Sequence, residues 1–150
     1  MPDLLTRLAL AARNGDRAAL EELVRRSQRD VIQLCRFMTG PDEVEDVAQE
    51  TYLRAMTALG SYRGEASARF WLLAIARNTC IDHLRRRTRS ERRDARGEVR
   101  SATAADTTEA TALMDLVDTL TADRREAFVL TQLIGLSYDE AAEIWKKVAG

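Results

Sequence analysis

Breaks, cross-links and long apolar runs are all scarce in this chain. Seven glycines and two prolines interrupt 150 residues. Ala, Leu, Arg and Glu dominate the rest, so long helices are the cheapest conformation and no substantial sheet is expected. The two cysteines, Cys35 and Cys80, fall inside apolar helical patterns with no second Cys or His at metal-ligand spacing. They read as core thiols, and no metal is expected. No apolar run approaches the roughly 20 residues that span a bilayer. Met1-Pro2-Asp3 lacks the basic and then apolar order of an export signal, so a cytoplasmic protein without membrane insertion is expected. Nor is there a Ser/His/Asp arrangement or a glycine-rich phosphate loop, which argues against an enzyme and against a cofactor.

What is present is charge arranged by region. The chain is 45% hydrophobic and 31% charged, so its apolar residues must be gathered on faces. The formal net charge of -1 hides an asymmetry. Asp42, Glu43, Glu45, Asp46 and Glu50 crowd one segment, while Arg85, Arg86, Arg87, Arg89, Arg92 and Arg93 crowd another. Two patches of opposite sign suggest two different partners.

The pattern along the chain predicts an all-α protein. Leu4, Leu5, Leu8, Ala11 and Ala12 form a short amphipathic helix that stops at Asn14-Gly15. Asp16 can cap a second, on which Leu20, Leu23, Val24, Val31, Leu34, Cys35 and Met38 make one apolar stripe up to Gly40-Pro41. Asp42 and Glu45 are spaced as a capping box for a third helix, with Val44, Val47, Ala48, Thr51, Ala55 and Leu59 on its apolar side. Gly60 to Gly64 is a loop, and Ser67 can cap a long helix carrying Phe70, Leu73, Ala74, Ile81 and Leu84. From Thr88 to about Ala110 large apolar residues all but vanish, and such a stretch cannot offset its ordering entropy, so it reads as a mobile linker. Beyond it, Leu113 to Leu120, Thr121 to Gly135, and a helix opened by the capping box Ser137-Tyr138-Asp139-Glu140 resemble the start of a helix-turn-helix. The expected organisation is two small helical domains, 1–88 and 111–150, joined by a flexible linker, 89–110.

The basic cluster alone has a plain reading as a solvated helix end that complements the macrodipole. The residues upstream sharpen it. Tyr62-Arg63-Gly64, Phe70-Trp71-Leu72 and Arg77-Asn78 combine an aromatic-bearing loop, an amide and a cationic helix face. Those are the parts needed to hold an unstacked base of single-stranded DNA beside its backbone. His83 is alone among helical neighbours and reads as structural.

The string Asp46-Val47-Ala48-Gln49-Glu50-Thr51-Tyr52-Leu53-Arg54-Ala55, then Tyr62-Arg63-Gly64 and Trp71-Leu72-Leu73-Ala74-Ile75-Ala76-Arg77-Asn78, resembles region 2 of the extracytoplasmic-function sigma factors. Leu116 to Leu130, with Arg124-Arg125-Glu126-Ala127-Phe128, and Gly135 to Ala142 are similar to the first half of that family's region 4. The resemblance implies a non-enzymatic subunit that gives RNA polymerase its promoter specificity. By the match, Asp46, Gln49, Glu50 and Arg54, with apolar area from Tyr52 and Leu53, would contact the coiled coil of the largest polymerase subunit. Tyr62, Arg63, Gly64 and Trp71 would belong to the surface for the minus-ten element, where the loop from Arg63 to Ala68 shapes a pocket and Asn78 meets a flipped-out base. Arg77, Arg85 and Arg86 would contact phosphates. An anti-sigma factor is the further partner implied. The chain stops at Trp145-Lys146-Lys147-Val148-Ala149-Gly150, where the family continues into a recognition helix, so region 4 is expected to be incomplete. Two rival readings remain: a regulator that binds duplex DNA without polymerase, and a decoy that occupies polymerase or an anti-sigma factor without initiating.

Overall fold

The computed structural model describes residues 1–93, 112, 113, 115, 116 and 119–149, and every regular element among them is helical. Helix α1 (Leu4–Arg13) is capped by Asp3, whose carboxylate accepts from the Thr6 amide at 2.9 Å. Helix α2 (Arg17–Thr39) is capped as the sequence suggests, with Asp16 accepting from the Ala19 amide at 3.0 Å. Its stripe of Leu23, Val31, Leu34, Cys35 and Met38 is buried.

Helix α3 (Val44–Ala58) departs from expectation at its start. The N-cap is Glu43 rather than Asp42, and no side chain caps it. The Glu43 carboxylate is instead bound by a distant partner, His83. The structural role expected of His83 is therefore to tie two helices together.

A 3-10 turn, Leu59–Ser61, leads into the loop before α4 (Ala68–Arg93). Ser67 accepts from the Phe70 amide at 3.2 Å, as its position predicts. Helix α4 outlasts the apolar pattern and continues past Thr88, with Arg87 donating to Glu91 one turn on at 3.2 Å. Residues 94–111, 114, 117 and 118, which hold most of the expected linker and part of the expected helix over 113–120, lie outside the described residues.

The carboxyl-terminal part consists of α5 (Ala122–Phe128), a π turn over Val129–Leu133, and α6 (Tyr138–Ala149). Thr121 occupies the N-cap of α5 without a side-chain bond. In the π turn the Ile134 amide donates to the Val129 carbonyl at 2.9 Å, and the Leu136 amide then reaches the Leu130 carbonyl at 2.9 Å. Gly135 between them has φ 86°, a conformation that a side chain would strain. The capping box of α6 forms reciprocally, Glu140 amide to Ser137 hydroxyl and Ser137 amide to Glu140 carboxylate, each at 3.1 Å.

Two apolar clusters hold these helices. One joins α1, α2, α3 and α4 through Ala9, Leu23, Ala55, Leu59, Tyr62 and Leu72. The other gathers Val31, Leu34, Cys35, Val47, Leu73 and Cys80 from α2, α3 and α4, and it also contains Val129, Leu130, Ile134 and Ile144. Val129, Leu130 and Ile144 have no exposed surface. Each fully buried side chain of this kind contributes about 1.5–3 kcal/mol. The carboxyl-terminal helices thus complete the core of the amino-terminal bundle.

Candidate nucleic-acid interface

Helix α3 sorts its residues by period. Val47, Ala48, Thr51 and Ala55 turn inward, while Asp46, Gln49 and Leu53 face solvent. Leu53 is 58% exposed and Met56 51% exposed, so this acidic face also carries bare apolar area. Tyr52 leans into the core, its hydroxyl 2.7 Å from that of Ser27, and burial pushes its phenol up to about 12.

At the edge facing α4 the two charged segments interlock. Arg54 donates to Asp82 at 2.8 Å and to Glu50 at 3.0 Å, and Arg86 reaches the other oxygen of Glu50 at 3.0 Å. Burial raises the Glu50 carboxyl, but the hydrogen bonds from Arg54 and Arg86 outweigh it and hold the group below its ordinary value. The acidic and basic patches are therefore adjacent and partly neutralise one another.

The loop before α4 is built around Tyr62. Its ring is buried 4.8 Å from that of Trp71, and its hydroxyl donates to the Ala66 carbonyl at 2.5 Å. Arg13 donates to the Tyr62 carbonyl at 2.8 Å, so α1 braces the loop from behind. Gly64 has φ 77°, a conformation that favours glycine, and a Cβ there would press the Leu10 side chain at 3.3 Å. Arg63 is exposed at the turn, as are Asn78, Arg85 and Arg86 along α4. Trp71 is half-buried and packs on the cluster of Ala9, Leu23, Ala55, Leu59 and Leu72. Tyr62 and Trp71 thus shape the loop from inside, and the solvent-facing chemistry comes from Arg63, Asn78, Arg85 and Arg86.

Arg77 is placed differently. Its guanidinium donates through Nε to the Glu126 carboxylate on α5, and the two side chains are only 12% and 4% exposed. Nη1 of Arg77 is buried with no partner among the described residues. About two turns earlier along the helix, Arg69 binds Asp30 at 2.8 Å and also donates to the Ile134 carbonyl at the end of the π turn. Two arginines of α4 therefore clamp the carboxyl-terminal helices.

Glu126, Arg69, Asp30 and Asp82 were not singled out by sequence reasoning. Glu126 did carry a signal. It lies three and four residues before Val129 and Leu130 on the side of its helix that goes inward, and a carboxylate on a buried face calls for a cation. No local pattern says which cation.

No described helix is long and apolar enough to cross a membrane. Residues 23–90 match the family model for Sigma-70 region 2, and residues 110–144 match that for Sigma-70 region 4. The ECF RNA polymerase sigma factor SigC of Mycobacterium tuberculosis is 39% identical over 148 residues, spanning 95% of this chain and 80% of that protein. Among solved structures, CnrH in complex with the cytosolic domain of CnrY superposes with a TM-score of 0.73 at 28% identity, over 96% of this chain and 84% of that one. The sigma factor RpoE of Bartonella quintana, in complex with the anti-sigma factor NepR, shares the fold with a TM-score of 0.73 at 22% identity, over 84% of this chain and 82% of that one.

Proposed function

Because the chain belongs to the extracytoplasmic-function RNA polymerase sigma factors, alternative sigma factors of transcription initiation, we propose that its two exposed faces divide the work of that family between them. The outer face of α3, with Asp46, Gln49, Glu50, Leu53 and Arg54, docks on the coiled coil of the largest subunit of core polymerase. Tyr52 supports that face from beneath. The loop from Tyr62 to Ala68 and the outer face of α4 take the unpaired minus-ten strand. Tyr62, Gly64 and Trp71 set the loop, Asn78 pairs with the edge of a flipped-out base, and Arg63, Arg85 and Arg86 neutralise phosphates. Residues 1–88 and 111–150, joined through the linker 89–110, act as two units that pack on one another through the shared apolar cluster in this arrangement. An anti-sigma factor that covers these faces is the regulatory partner, and the protein works in the cytoplasm without catalysis of its own.

The observation that carries this reading is the exposure of Asn78 beside Arg85 and Arg86 on the face of α4 not used by the core. A solvated helix end would account for the arginines, and the amide about two turns before them adds a group able to read base edges. Arg77 bears on the alternative. In this arrangement Glu126 occupies it, so phosphate can use Arg77 only after α5 moves. A decoy that binds polymerase without initiating would keep it occupied.

Binding of fluorescent minus-ten single strands to the reconstituted holoenzyme, together with runoff transcription, tests both. Asn78→Ala is expected to lose about 1–3 kcal/mol of discrimination between matched and scrambled strands while holding core polymerase as before. Equal discrimination in both proteins removes the base-reading role. Asp46→Lys is expected to weaken core binding by about tenfold, chiefly through slower association, and an unchanged dissociation constant removes the α3 interface. Tight core binding without any runoff product selects the decoy.

A further inference from the structure

Helix α4 does not use its last arginines alike. Arg86 turns to α3 and binds Glu50 at 3.0 Å. Arg87 turns to the bundle, donating to the Thr39 carbonyl at 3.4 Å and to Glu91 at 3.2 Å, with Glu43 at 3.8 Å. Arg85, Arg89 and Arg93 are exposed, and among the described residues none of the three has an ion pair or a side-chain hydrogen bond. With 3.6 residues to a turn, Arg85 and Arg89 fall within about 20° of Asn78 around the helix axis and Arg93 within about 60°. Arg86 and Arg87 fall about 80° and about 180° away from it. The free cations therefore share a face with the amide, and the engaged ones do not. Asp82 lies close to this stripe but is held by Arg54 at 2.8 Å, and Glu91 on the far side takes Arg87. Among the described residues, the outer face beyond Asp82 is left with positive charge only. Helix stability does not account for this, since like charges four residues apart repel and weaken a helix. A polyanion laid along the helix does account for it.

We propose that Arg89 and Arg93, reached from Asn78 by way of Arg85, form a second DNA site, a phosphate-binding stripe for the paired DNA that borders the unpaired minus-ten strand. The proposal rests on the assignment of Asn78 to an unpaired base. Helix α4 is a single helix from Ala68 to Arg93, so the spacing along it is fixed. At 1.5 Å per residue Arg89 and Arg93 stand about 16 Å and about 22 Å beyond Asn78, a distance that about five to seven nucleotides cover at 3.4 Å each. Duplex DNA carries one charge per about 1.7 Å of its axis, twice that of one of its strands. A rigid line of cations at that distance therefore draws paired DNA more strongly than an unpaired strand. Helix α4 then gauges the distance between the base at Asn78 and the point where the strands rejoin. An acidic peptide would meet the same cations, but nothing about it would require them to continue the face of Asn78.

The test compares reconstituted holoenzyme on the minus-ten single strand alone and on two forked probes, in which the same strand runs into duplex on one side or the other, over a series of salt concentrations. Arg89→Gln combined with Arg93→Gln changes exposed positions to a residue that also favours helix. On at least one fork the pair should flatten the slope of log affinity against log salt by about 0.9 for each arginine, about 1.8 in all. Affinity for the single strand alone should stay the same. The corresponding lysine variants should restore the slope, because a point charge is enough to bind a phosphate. Losses on the single strand as large as on the forks overturn the proposal, because the stripe then serves the unpaired strand. No change on any probe overturns it as well, because the arginines are then a solvated helix end. A wild-type holoenzyme that binds matched and scrambled single strands equally removes base reading by Asn78, and the slope on the forks still decides whether the stripe holds duplex.

Discussion

The amino-terminal bundle and the carboxyl-terminal helices use the same devices but depend on each other unequally. Helices α1 and α2 carry their own aspartate caps and share an apolar cluster with α3 and α4. The carboxyl-terminal part has one complete local device, the Ser137–Glu140 box. Its fully buried side chains, Val129, Leu130 and Ile144, lie in a cluster supplied mostly by α2, α3 and α4. Among its described residues the one buried carboxylate, Glu126, is neutralised by Arg77 of the bundle. Two segments of similar helical pattern therefore differ in where their stability comes from, and a short helical unit can look self-sufficient in sequence while its burial is borrowed.

The difference can be broken most forcefully at Glu126. Glu126→Ala leaves the Arg77 guanidinium buried without its anion, and a loss of about 3–5 kcal/mol is expected, seen in urea denaturation and as faster amide exchange over residues 122–146. The double variant Arg77→Met with Glu126→Leu should recover most of it, because an apolar pair of similar volume removes both desolvation costs. Equal losses in single and double variants would show that the pairing does not hold α5. At the next level, Ser137→Ala and Asp16→Ala each remove one cap and should each cost about 1 kcal/mol. The loss at Ser137 should appear as exchange confined to α6, and that at Asp16 as a fall in global stability. If both act globally, the two regions unfold as one.

The smallest effect is expected on the exposed face between α3 and α4. Glu50 is held below its ordinary value, so the stability it contributes is present above the unfolded carboxylate range and is lost as pH falls through its lower folded value. The pair with Arg86 is largely solvent-exposed, so Glu50→Gln should change stability by less than about 1 kcal/mol. A carboxyl NMR titration of Glu50 that moves upward in Arg86→Ala would confirm the direction.

What the sequence disclosed follows a physical divide. Periodic stripes and caps involve residues three or four apart, so the burial of Val31, Leu34 and Cys35, the caps at Asp16 and Ser67, and the box at Ser137 were legible. The expected box at Asp42 did not form, since the helix starts at Glu43 without a side-chain cap, and the pairing of Glu43 with His83, forty residues away, is one that no local pattern announces. The segment from Thr121 to Gly135 was legible as a helix, but a local pattern does not name the surface that covers it. At the candidate site, Asn78 and Arg86 are exposed. The burial of Tyr62 and the engagement of Arg77 depended on contacts with Trp71 and Glu126 that only the folded chain brings together.

The clasp of Arg69 on the Ile134 carbonyl has a temporal side. A helix end whose last acceptor is satisfied from 65 positions upstream cannot be finished by its own segment. Chains leave the ribosome amino end first, so the mould for that turn is already made when the turn arrives. The later helices are shaped on a surface that was waiting for them, and synthesis in the opposite order would present them with nothing to close against.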